Sequence, residues 1–425
     1  MGNSKKIRVV SFCDSPTVAT GFGTVSHNVL KGLYDTGEYD ITVLGINYWG
    51  HPHEFPYPDK PCIKIHPVGI NQERDPYGRQ YVADILRKWD YDILFTIQDS
   101  FILEFLKDVV PHVKNKNPNM KWINYFPVDG KPKREWIEAM SVSDYPVTYT
   151  EWGKKQCIEV CPEIADKLSV IYHGTNPTHF YPLPKNETER FRRLYFGSLA
   201  DKFIVTSVAR NQQRKDIPRT MRAFKKFQER CPNSLLYQHS AVQDQGWDLT
   251  KVSESLGLVV NKDVAFPNDF GPNQGFPREI LNSIYNSSDV VVSSSLGEGW
   301  GLSCTESMAC CKPFVGPDNT ALTEIVADRG ILVRSGWDDN AFTVLPSDNE
   351  VVRPLANIDD MVDALTLLYN NKEKRTELGL KGYKWVTSTL RWDRHIVPQW
   401  VKIFEDAVKS STDGPKVGSV SVVEV

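Results

Sequence analysis

Short apolar runs alternate with stretches of helical periodicity along the first part of the chain. Runs rich in β-branched and aromatic residues predict strands at residues 7–13, 41–45, 93–97, 122–126, 147–149 and 170–172. Between them, segments such as residues 24–34 and 80–89 place apolar side chains at the spacing of one helix face. Strands that alternate with helices in this way predict a parallel sheet covered by helices on both faces.

The same alternation begins again in the second half of the chain, with a helix predicted at residues 218–229. Strands are predicted at residues 204–209, 235–239, 264–266, 290–293, 313–315 and 330–333. Gly174, Pro177 and Pro182 interrupt regular structure between the two series, so we place a domain junction near residues 174–185. The predicted fold class is α/β, with two Rossmann-like doubly wound domains that face each other across a cleft.

Charge and cysteine content narrow the functional classes. The 425 residues include 50 basic and 53 acidic side chains, a net charge of −3, which excludes a bulk-basic, histone-like role. No apolar run in the sequence reaches the roughly 18 residues that a membrane span needs. We therefore expect no transmembrane segment. The eight cysteines show no metal-binding spacing and are expected to be reduced thiols, from which we expect a reducing, cytoplasmic location.

A glycine-rich loop and the start of a helix follow the strand predicted at residues 290–293. The residues of interest there are Glu298, Gly299, Trp300, Gly301, Leu302 and Glu306. Glycines let backbone amides approach a ligand closely, and amides at a helix N-terminus favour a diphosphate. Glu306, about one turn into the helix, can accept paired hydrogen bonds from vicinal hydroxyls such as those of a ribose. The alternative is a glycine turn flanked by two surface glutamates.

Two cations follow the first strand predicted in the second domain. Arg210 and Lys215 lie where a doubly wound fold places its ligands. Fixed positive charges at this point would stabilise a departing diphosphate more than the intact donor. The alternative is a pair of ordinary surface cations. The other basic residues nearby, Arg214 among them, are interpreted mostly as the solvated face of the following helix.

In the first domain, Gly21 and Gly23 precede a predicted helix. Their loop does not fit the Gly-x-Gly-x-x-Gly pattern, which argues against a nicotinamide cofactor. We expect their backbone amides to face the diphosphate across the cleft. A flexible loop at a helix start is the alternative.

Two strand ends of the first domain carry acidic residues. The strand at residues 122–126 is followed by Asp129, and the strand at residues 93–97 is followed by Gln98 and Asp99. We favour Asp129 as the acid that faces the reacting centre. A turn carboxylate that caps local amides is an equal alternative.

The segment from Glu298 to Glu306 resembles the retaining family 4 glycosyltransferases, with seven residues between two glutamates, Gly-x-Gly-Leu inside and Ser-Met-Ala after. That family has the GT-B fold and uses nucleotide-sugar donors. Residues 208–215 resemble its donor-phosphate Arg/Lys pair, residues 170–182 its interdomain junction, and residues 20–23 its N-terminal glycine loop. In this family a histidine in the first domain often touches the donor sugar, whereas this chain offers Asp129.

The resemblance implies a division of the chain into four parts. Residues 1–175 would form the acceptor-side domain, and residues 176–390 the nucleotide-sugar-binding domain. Residues 391–410 would be a helix that crosses back to the first domain, as Trp385 and Trp392 suggest. Residues 411–425 are expected to be a flexible tail.

The implied function is retaining transfer of a hexosyl or pentosyl group from a nucleoside diphosphate sugar to a hydroxyl of a carbohydrate, lipid or small molecule. UDP-sugar is the first expectation for the donor and GDP-sugar the second. The implied route is front-face, with the leaving phosphate taking the acceptor proton. The implied catalytic residues are Glu298, Asp129, Arg210 and Lys215. The implied donor-binding residues are Gly21, Gly23, Arg210, Lys215, Gly299, Trp300, Gly301, Leu302 and Glu306.

Metal and cofactor requirements can be weighed from the same residues. The only Asp-x-Asp triplet is Asp90 to Asp92, which leads directly into a predicted strand and is interpreted as a turn. Because the Arg/Lys pair and a helix N-terminus already supply positive charge, we expect neither a metal nor a cofactor.

Two other functions stay open. One is a glycosyltransferase that acts on hydroxylated bases of modified DNA, so that the acceptor partner would be nucleic acid. It is motivated by six basic residues of the presumed acceptor domain, Lys114, Lys116, Lys121, Lys131, Lys133 and Arg134. The other is a non-catalytic protein that binds nucleotide sugars.

Overall fold

Two parallel β-sheets, each covered by helices, organise the chain. The structure is a computed structural model that describes residues 6–59, 63–71, 73–268, 270–271 and 275–412. The predicted fold class of two doubly wound α/β domains is confirmed. Within the described residues, no helix is long and apolar enough to cross a membrane.

The first sheet has seven parallel strands in the order β3-β2-β1-β4-β5-β6-β7. Its strands are β1 Ile7–Asp14, β2 Tyr39–Ile46, β3 Lys64–Pro67, β4 Ile93–Ile97, β5 Lys121–Phe126, β6 Tyr145–Thr148 and β7 Ser169–Val170. Its helices are α1 Gly21–Asp35, α2 Arg79–Lys88, α3 Ser100–Leu103, α4 Leu106–Lys116, α5 Arg134–Ser141 and α6 Glu151–Val160. All five residues of β4 are buried, as expected for a central strand with helices on both faces.

The second sheet has six parallel strands in the order β10-β9-β8-β11-β12-β13. Its strands are β8 Phe203–Val208, β9 Ser234–His239, β10 Val264–Ala265, β11 Val290–Val292, β12 Phe314–Pro317 and β13 Ile331–Val333. A separate antiparallel hairpin pairs β14 Phe342–Val344 with β15 Val352–Pro354. The helices of this part are α7 Lys185–Phe196, α8 Ile217–Arg230, α9 Leu249–Ser255, α10 Arg278–Ser287, α11 Leu302–Ala309, α12 Thr320–Val326, α13 Ile358–Asn370 and α14 Lys372–Thr389.

Each sheet reverses its strand order at one point, between β1 and β4 in the first and between β8 and β11 in the second. At such a switch point the connections leave in opposite directions and open a crevice at the carboxyl ends of the strands. The loops after these four strands are therefore the natural place for a ligand. They carry Asp99, Arg210, Lys215 and Glu298, while Asp129 follows β5, the neighbour of β4.

The last helix, α15 Val397–Thr412, packs on the first sheet. The ring of Trp400 lies 5.3 Å from that of Phe95 and 4.6 Å from that of Tyr125, measured between centroids. Phe404 contacts the same Phe95, and both α15 side chains are fully buried. A short π-helical segment, Trp392–Ile396, leads into α15. The end of the chain thus completes the core of the first domain.

Several elements differ from the sequence prediction. α1 begins at Gly21 rather than at residue 24, because Thr20 caps the helix through its side chain. β3, α7 and the β14–β15 hairpin were not predicted. The hairpin escapes detection because it is short and outward-facing, with Val344 and Val352 more than half exposed. The predicted tail at residues 411–425 lies almost wholly outside the described residues, and the domain limits stay a prediction.

We predict that Trp400→Ala lowers the stability of the chain by about 3–5 kcal/mol, the usual cost of deleting a large buried aromatic side chain. The loss should appear as a lower urea concentration at the midpoint of unfolding, which is followed by circular dichroism. Leu380→Ala is the control, because Leu380 is 45% exposed and its removal should change stability little. Equal midpoints for the two variants would contradict a core role for α15.

Candidate active site

Side chains from both domains meet at the carboxyl ends of the two sheets. Asp129 follows β5 of the first sheet, and Glu298 follows β11 of the second. A short 3₁₀ helix, Gln213–Lys215, follows β8 and supplies two cations to the same place. The two strand-order reversals therefore face each other across one polar centre.

Glu298 is held by two cations of the second domain. Its Oε1 lies 2.5 Å from Nζ of Lys215, and its Oε2 lies 3.4 Å from Nη1 of Arg214. Burial alone would raise the pKa of Glu298, but Lys215 and Arg214 lower it to about 2. Burial also lowers the pKa of Lys215, against the pull of Glu298. Glu298 is thus a fixed anion that holds Lys215 in position.

Asp129 is bound by two arginines of the opposite domain. Its Oδ1 lies 3.2 Å from both terminal nitrogens of Arg353, and its Oδ2 lies 3.3 Å from Nε of Arg214. Arg353 belongs to β15, is 3% exposed, and is held in turn by Asp348 at 2.6 Å. Burial would raise the pKa of Asp129, but Arg214 and Arg353 hold it below its usual value. The favoured acid is therefore an ion-paired interdomain contact.

The glycines of the second-domain loop allow this contact. A β-carbon on Gly297 would overlap the carbonyl oxygen of Asp129, and one on Gly299 would lie 2.6 Å from Cβ of Pro127. We expected Gly299 to face a ligand, whereas the structure places the Pro127 loop against it. Gly301 has φ of +94°, a left-handed conformation that favours glycine, and directly precedes α11.

Glu306 lies apart from this centre, in a small cavity at the base of the cleft. Thr24, Gly174, Asn176, Arg278, Leu302 and Trp392 also line it. The hydroxyl of Tyr285 donates a hydrogen bond of 2.8 Å to Oε2 of Glu306. Burial raises the pKa of Glu306 to about 7, and Tyr285 opposes that shift. One carboxylate oxygen therefore stays available to a ligand hydroxyl.

The two neighbours of Gly301 occupy different surroundings. Trp300 is buried against the rings of Tyr172 and His173, and its indole nitrogen has no hydrogen-bond partner among the described residues. Leu302 begins α11 and faces Gly21 of the first domain. A β-carbon added to Gly21 would lie 3.8 Å from Cδ1 of Leu302. Gly21 thus lies opposite the start of α11. A role of its amide in binding a diphosphate stays a prediction.

Two expectations need correction. Arg210 does not accompany Lys215, because its guanidinium pairs with Asp244 at 2.7 Å. Arg210 and Lys215 are therefore not brought together in this structure, and Arg214 takes the place beside Lys215. The amide of Gly23 is not free either, because it donates to Oγ1 of Thr20 within the first turn of α1.

Three residues that face this centre were not assigned to it from the sequence, namely Asp14, Arg214 and Arg353, and Asp99 was named at a strand end but not favoured. Asp14 could have been found, because it ends a strand beside the first switch point. Arg214 was interpreted as part of a solvated helix face. No sequence signal points to Arg353, which the hairpin brings from far along the chain. Among the described residues, no three His, Cys, Asp or Glu side chains form a group that could hold a metal ion.

We predict that acid destabilises the chain through Glu298. A carboxyl whose folded-state pKa is lowered stabilises the fold above its ordinary pKa near 4.5, and this contribution is lost as the pH falls toward about 2. Urea unfolding at a series of pH values from 6 to about 3 should show the loss. In Glu298→Gln, the free energy of unfolding should change less with pH than in the wild type. A slope identical to wild type in Glu298→Gln would contradict the assignment.

Comparison with known families agrees with this geometry. Residues 270–385 match the family model described as glycosyl transferases group 1, and Glu298 and Glu306 lie inside the match. An uncharacterized glycosyltransferase of Methanocaldococcus jannaschii is 31% identical over 184 residues, 42% of this chain and 44% of that relative. The chain spans about half the length of the first curated relatives that it matches, 54% of one and 44% of another.

Solved structures show the same fold over the whole length. Sucrose-phosphate synthase from Thermosynechococcus elongatus superposes with a TM-score of 0.70 at 16% identity, over 96% of this chain and 100% of that one. HepE of Anabaena, solved in complex with UDP and glucose, superposes with a TM-score of 0.68 at 14% identity, over 94% and 100%. At these identities the likeness concerns the fold. Together with the match around Glu298 and Glu306, this shared GT-B fold makes the chain similar to the family 4 glycosyltransferases.

Proposed function

We propose that the protein is a retaining glycosyltransferase that moves a sugar from a nucleoside diphosphate sugar to a hydroxyl acceptor. The observation that carries the proposal is the Glu298–Lys215 ion pair at the end of the second sheet, followed by Glu306 in the second turn of α11. Glu298 and Glu306 are thus held in different surroundings, one in the glycine-rich loop and one in the helix that follows it. These surroundings suit a sugar beside Glu298 and a nucleoside beside Glu306.

Lys215 would act on the diphosphate. Cleavage of the donor leaves extra negative charge on the phosphate oxygens, and a fixed buried cation stabilises that charge without reorganising. The free amides at the N-terminus of α11 supply further positive potential. Glu298, which stays ionised, would accept hydrogen bonds from hydroxyls of the donor sugar. Arg210 can contribute only if it leaves Asp244, so its phosphate role is the less supported of the two.

Glu306 would bind the ribose. Its free oxygen opens into the cavity, and a hydrogen bond between a carboxylate and a buried hydroxyl is strong in such surroundings. We propose UDP as the nucleotide, supported by the fold shared with HepE, which was solved with UDP and glucose. GDP is the second choice.

The acceptor is proposed to be a hydroxyl of a carbohydrate, lipid or small molecule. The DNA alternative rested on six basic residues of the first domain, and four of them form ion pairs. These pairs are Lys114–Asp144, Lys131–Glu159, Lys133–Glu350 and Arg134–Glu163. Their charges are largely neutralised by these partners, which favours an uncharged acceptor over a polyanion.

We also propose that the reaction needs neither a metal nor a cofactor. A further proposal is that it takes place in a reducing compartment such as the cytoplasm. The seven cysteines within the described residues are all free thiols, six of them buried. Such thiols persist where the surroundings are reducing. A non-catalytic role is the remaining alternative, and donor cleavage decides it.

The test separates the two glutamates. We predict that Glu306→Gln weakens UDP binding above pH 7, where Glu306 is mostly ionised, because the change removes the anion that accepts from the ribose. Glu298→Gln should keep UDP affinity within a few fold and lower the turnover of UDP-glucose by about 10² or more, the usual loss when a charged stabiliser is removed. Calorimetry with UDP and chromatographic detection of released UDP give the two quantities.

Several outcomes would contradict this assignment. Equal UDP affinity in wild type and both variants would remove the ribose role of Glu306. Wild-type protein that binds UDP-glucose and never cleaves it, with any hydroxyl acceptor offered, would favour the non-catalytic alternative. Arg222→Ala, on the outer part of α8, is a charge-removing control that should behave as wild type.

We predict that UDP-glucose cleavage survives dialysis against a chelator, because Lys215 and the α11 N-terminus carry the positive charge. The rate before and after dialysis is compared at saturating donor. Loss of activity that only an added divalent cation restores would overturn the metal-independent proposal.

A further inference from the structure

Three carboxylates lie at the carboxyl ends of strands in the first sheet, on the side that faces the second domain. They are Asp14 at the end of β1, Asp99 after β4, and Asp129 after β5. β4 and β5 are neighbouring strands, with Ile97 paired to Tyr125, so Asp99 and Asp129 leave adjacent strand ends. The three carboxylates thus lie on the same side of the sheet, and they differ in their hydrogen-bond and ion-pair partners.

Asp14 and Asp129 are fully engaged. Asp14 accepts hydrogen bonds from Thr20 at 2.6 Å, Gln98 at 3.1 Å and Asn47 at 3.2 Å. Both oxygens of Asp129 face arginines, as described above. Neither group has an oxygen free to take a proton from a bound acceptor without first breaking these bonds.

The carboxylate of Asp99 accepts no hydrogen bond from the described residues. Asp99 directly precedes α3, yet its side chain does not cap that helix. The hydroxyl of Tyr149, a residue near Asp99, is buried and has no hydrogen-bond partner in the described chain. Asp99 itself is partly exposed, so a ligand can reach its carboxylate. Because buried polar groups are normally satisfied, the unpaired hydroxyl of Tyr149 near an accessible carboxylate indicates a site for a polar ligand.

The charges around Asp99 favour its neutral form. Asp129 and Asp14 repel its negative charge, Arg214 and Arg353 attract it, and the phenols of Tyr77 and Tyr149 lie nearby. Burial is the largest influence, and with the two carboxylates it raises the pKa of Asp99 to about 7. A group with such a pKa accepts and releases protons near neutral pH.

We propose that Asp99 is the catalytic base that binds the acceptor hydroxyl and takes its proton. The assignment rests on the proposed glycosyl transfer. The acceptor oxygen forms a bond to the anomeric carbon, and the bond from that carbon to the diphosphate oxygen breaks, its electron pair leaving with the nucleotide. The acceptor proton passes to Asp99, which releases it to water. Asp129 then serves to join the domains, and the leaving phosphate is not required as the base.

The experiment compares a protonated and an unprotonated acceptor. UDP-glucose is the donor, and water or azide is the acceptor, since azide is an anion with no proton to lose. At saturating donor, the wild-type rate in water should rise with pH through about 7 and then level off. Asp99→Asn should lower the water rate by about 10²-fold or more and remove this pH dependence. With azide, Asp99→Asn should be no slower than wild type.

Two variants and one binding measurement serve as controls. Asp108→Asn changes an exposed carboxylate of the same domain and should behave as wild type. Affinity for UDP should be unchanged in Asp99→Asn, because Glu306 and Lys215, the residues proposed to bind the ribose and the diphosphate, belong to the second domain. Protonation of Glu306 should change only the affinity for the donor. At saturating donor, the remaining pH dependence of the rate is therefore due to Asp99 and not to Glu306.

The contrary outcomes are distinct. If Asp99→Asn loses the water and azide rates equally, Asp99 is structural and the proposal fails. If Asp129→Asn, and not Asp99→Asn, removes the pH dependence, the base is Asp129. If wild type releases no UDP in either solution, the proposed function fails and this assignment fails with it.

Discussion

The interaction on which the site depends is the paired set of buried charges between the two domains. Arg214 lies between Asp129 of the first domain and Glu298 of the second, while Arg353 and Lys215 neutralise the other side of each carboxylate. Burying any one of these charges alone would cost several kcal/mol, and the cost is offset only while all partners are present. The network therefore specifies the relative position of the domains more than it adds to stability.

This arrangement explains the small residues of the cleft. A charge network at these distances needs the loop at Gly297 and the loop at Asp129 to touch, and a side chain at residue 297 or 299 would separate them. The aspartate at residue 129, where the family resemblance implies a histidine, has the same explanation. An aspartate at residue 129 can be held by two arginines, whereas a protonated imidazole would be repelled by them.

Much of the fold followed from the sequence, because β-rich runs and helical periodicity repeat regularly and mark both sheets. The position of Glu298 and Glu306 around the start of α11 also followed, since the strand, glycines and helix are local in sequence. Partners could not be predicted where they depend on long-range contacts. Arg210 forms an ion pair with Asp244, and Arg353 forms one with Asp129 across the cleft. Neither pairing produces a periodic pattern in the amino-acid sequence. The choice between Asp99 and Asp129 likewise depends on which oxygens neighbouring side chains occupy.

The return of α15 to the first sheet bears on how the chain folds as it is synthesised. N-terminal domains commonly fold first while the ribosome is still adding residues. Here the rings of Trp400 and Phe404 fill the space beside Phe95, so the first domain lacks part of its core until residues from the far end of the chain emerge. The second domain has no such requirement for α15, since its sheet and helices are complete by residue 389. The later-made domain can therefore reach its native structure before the earlier one.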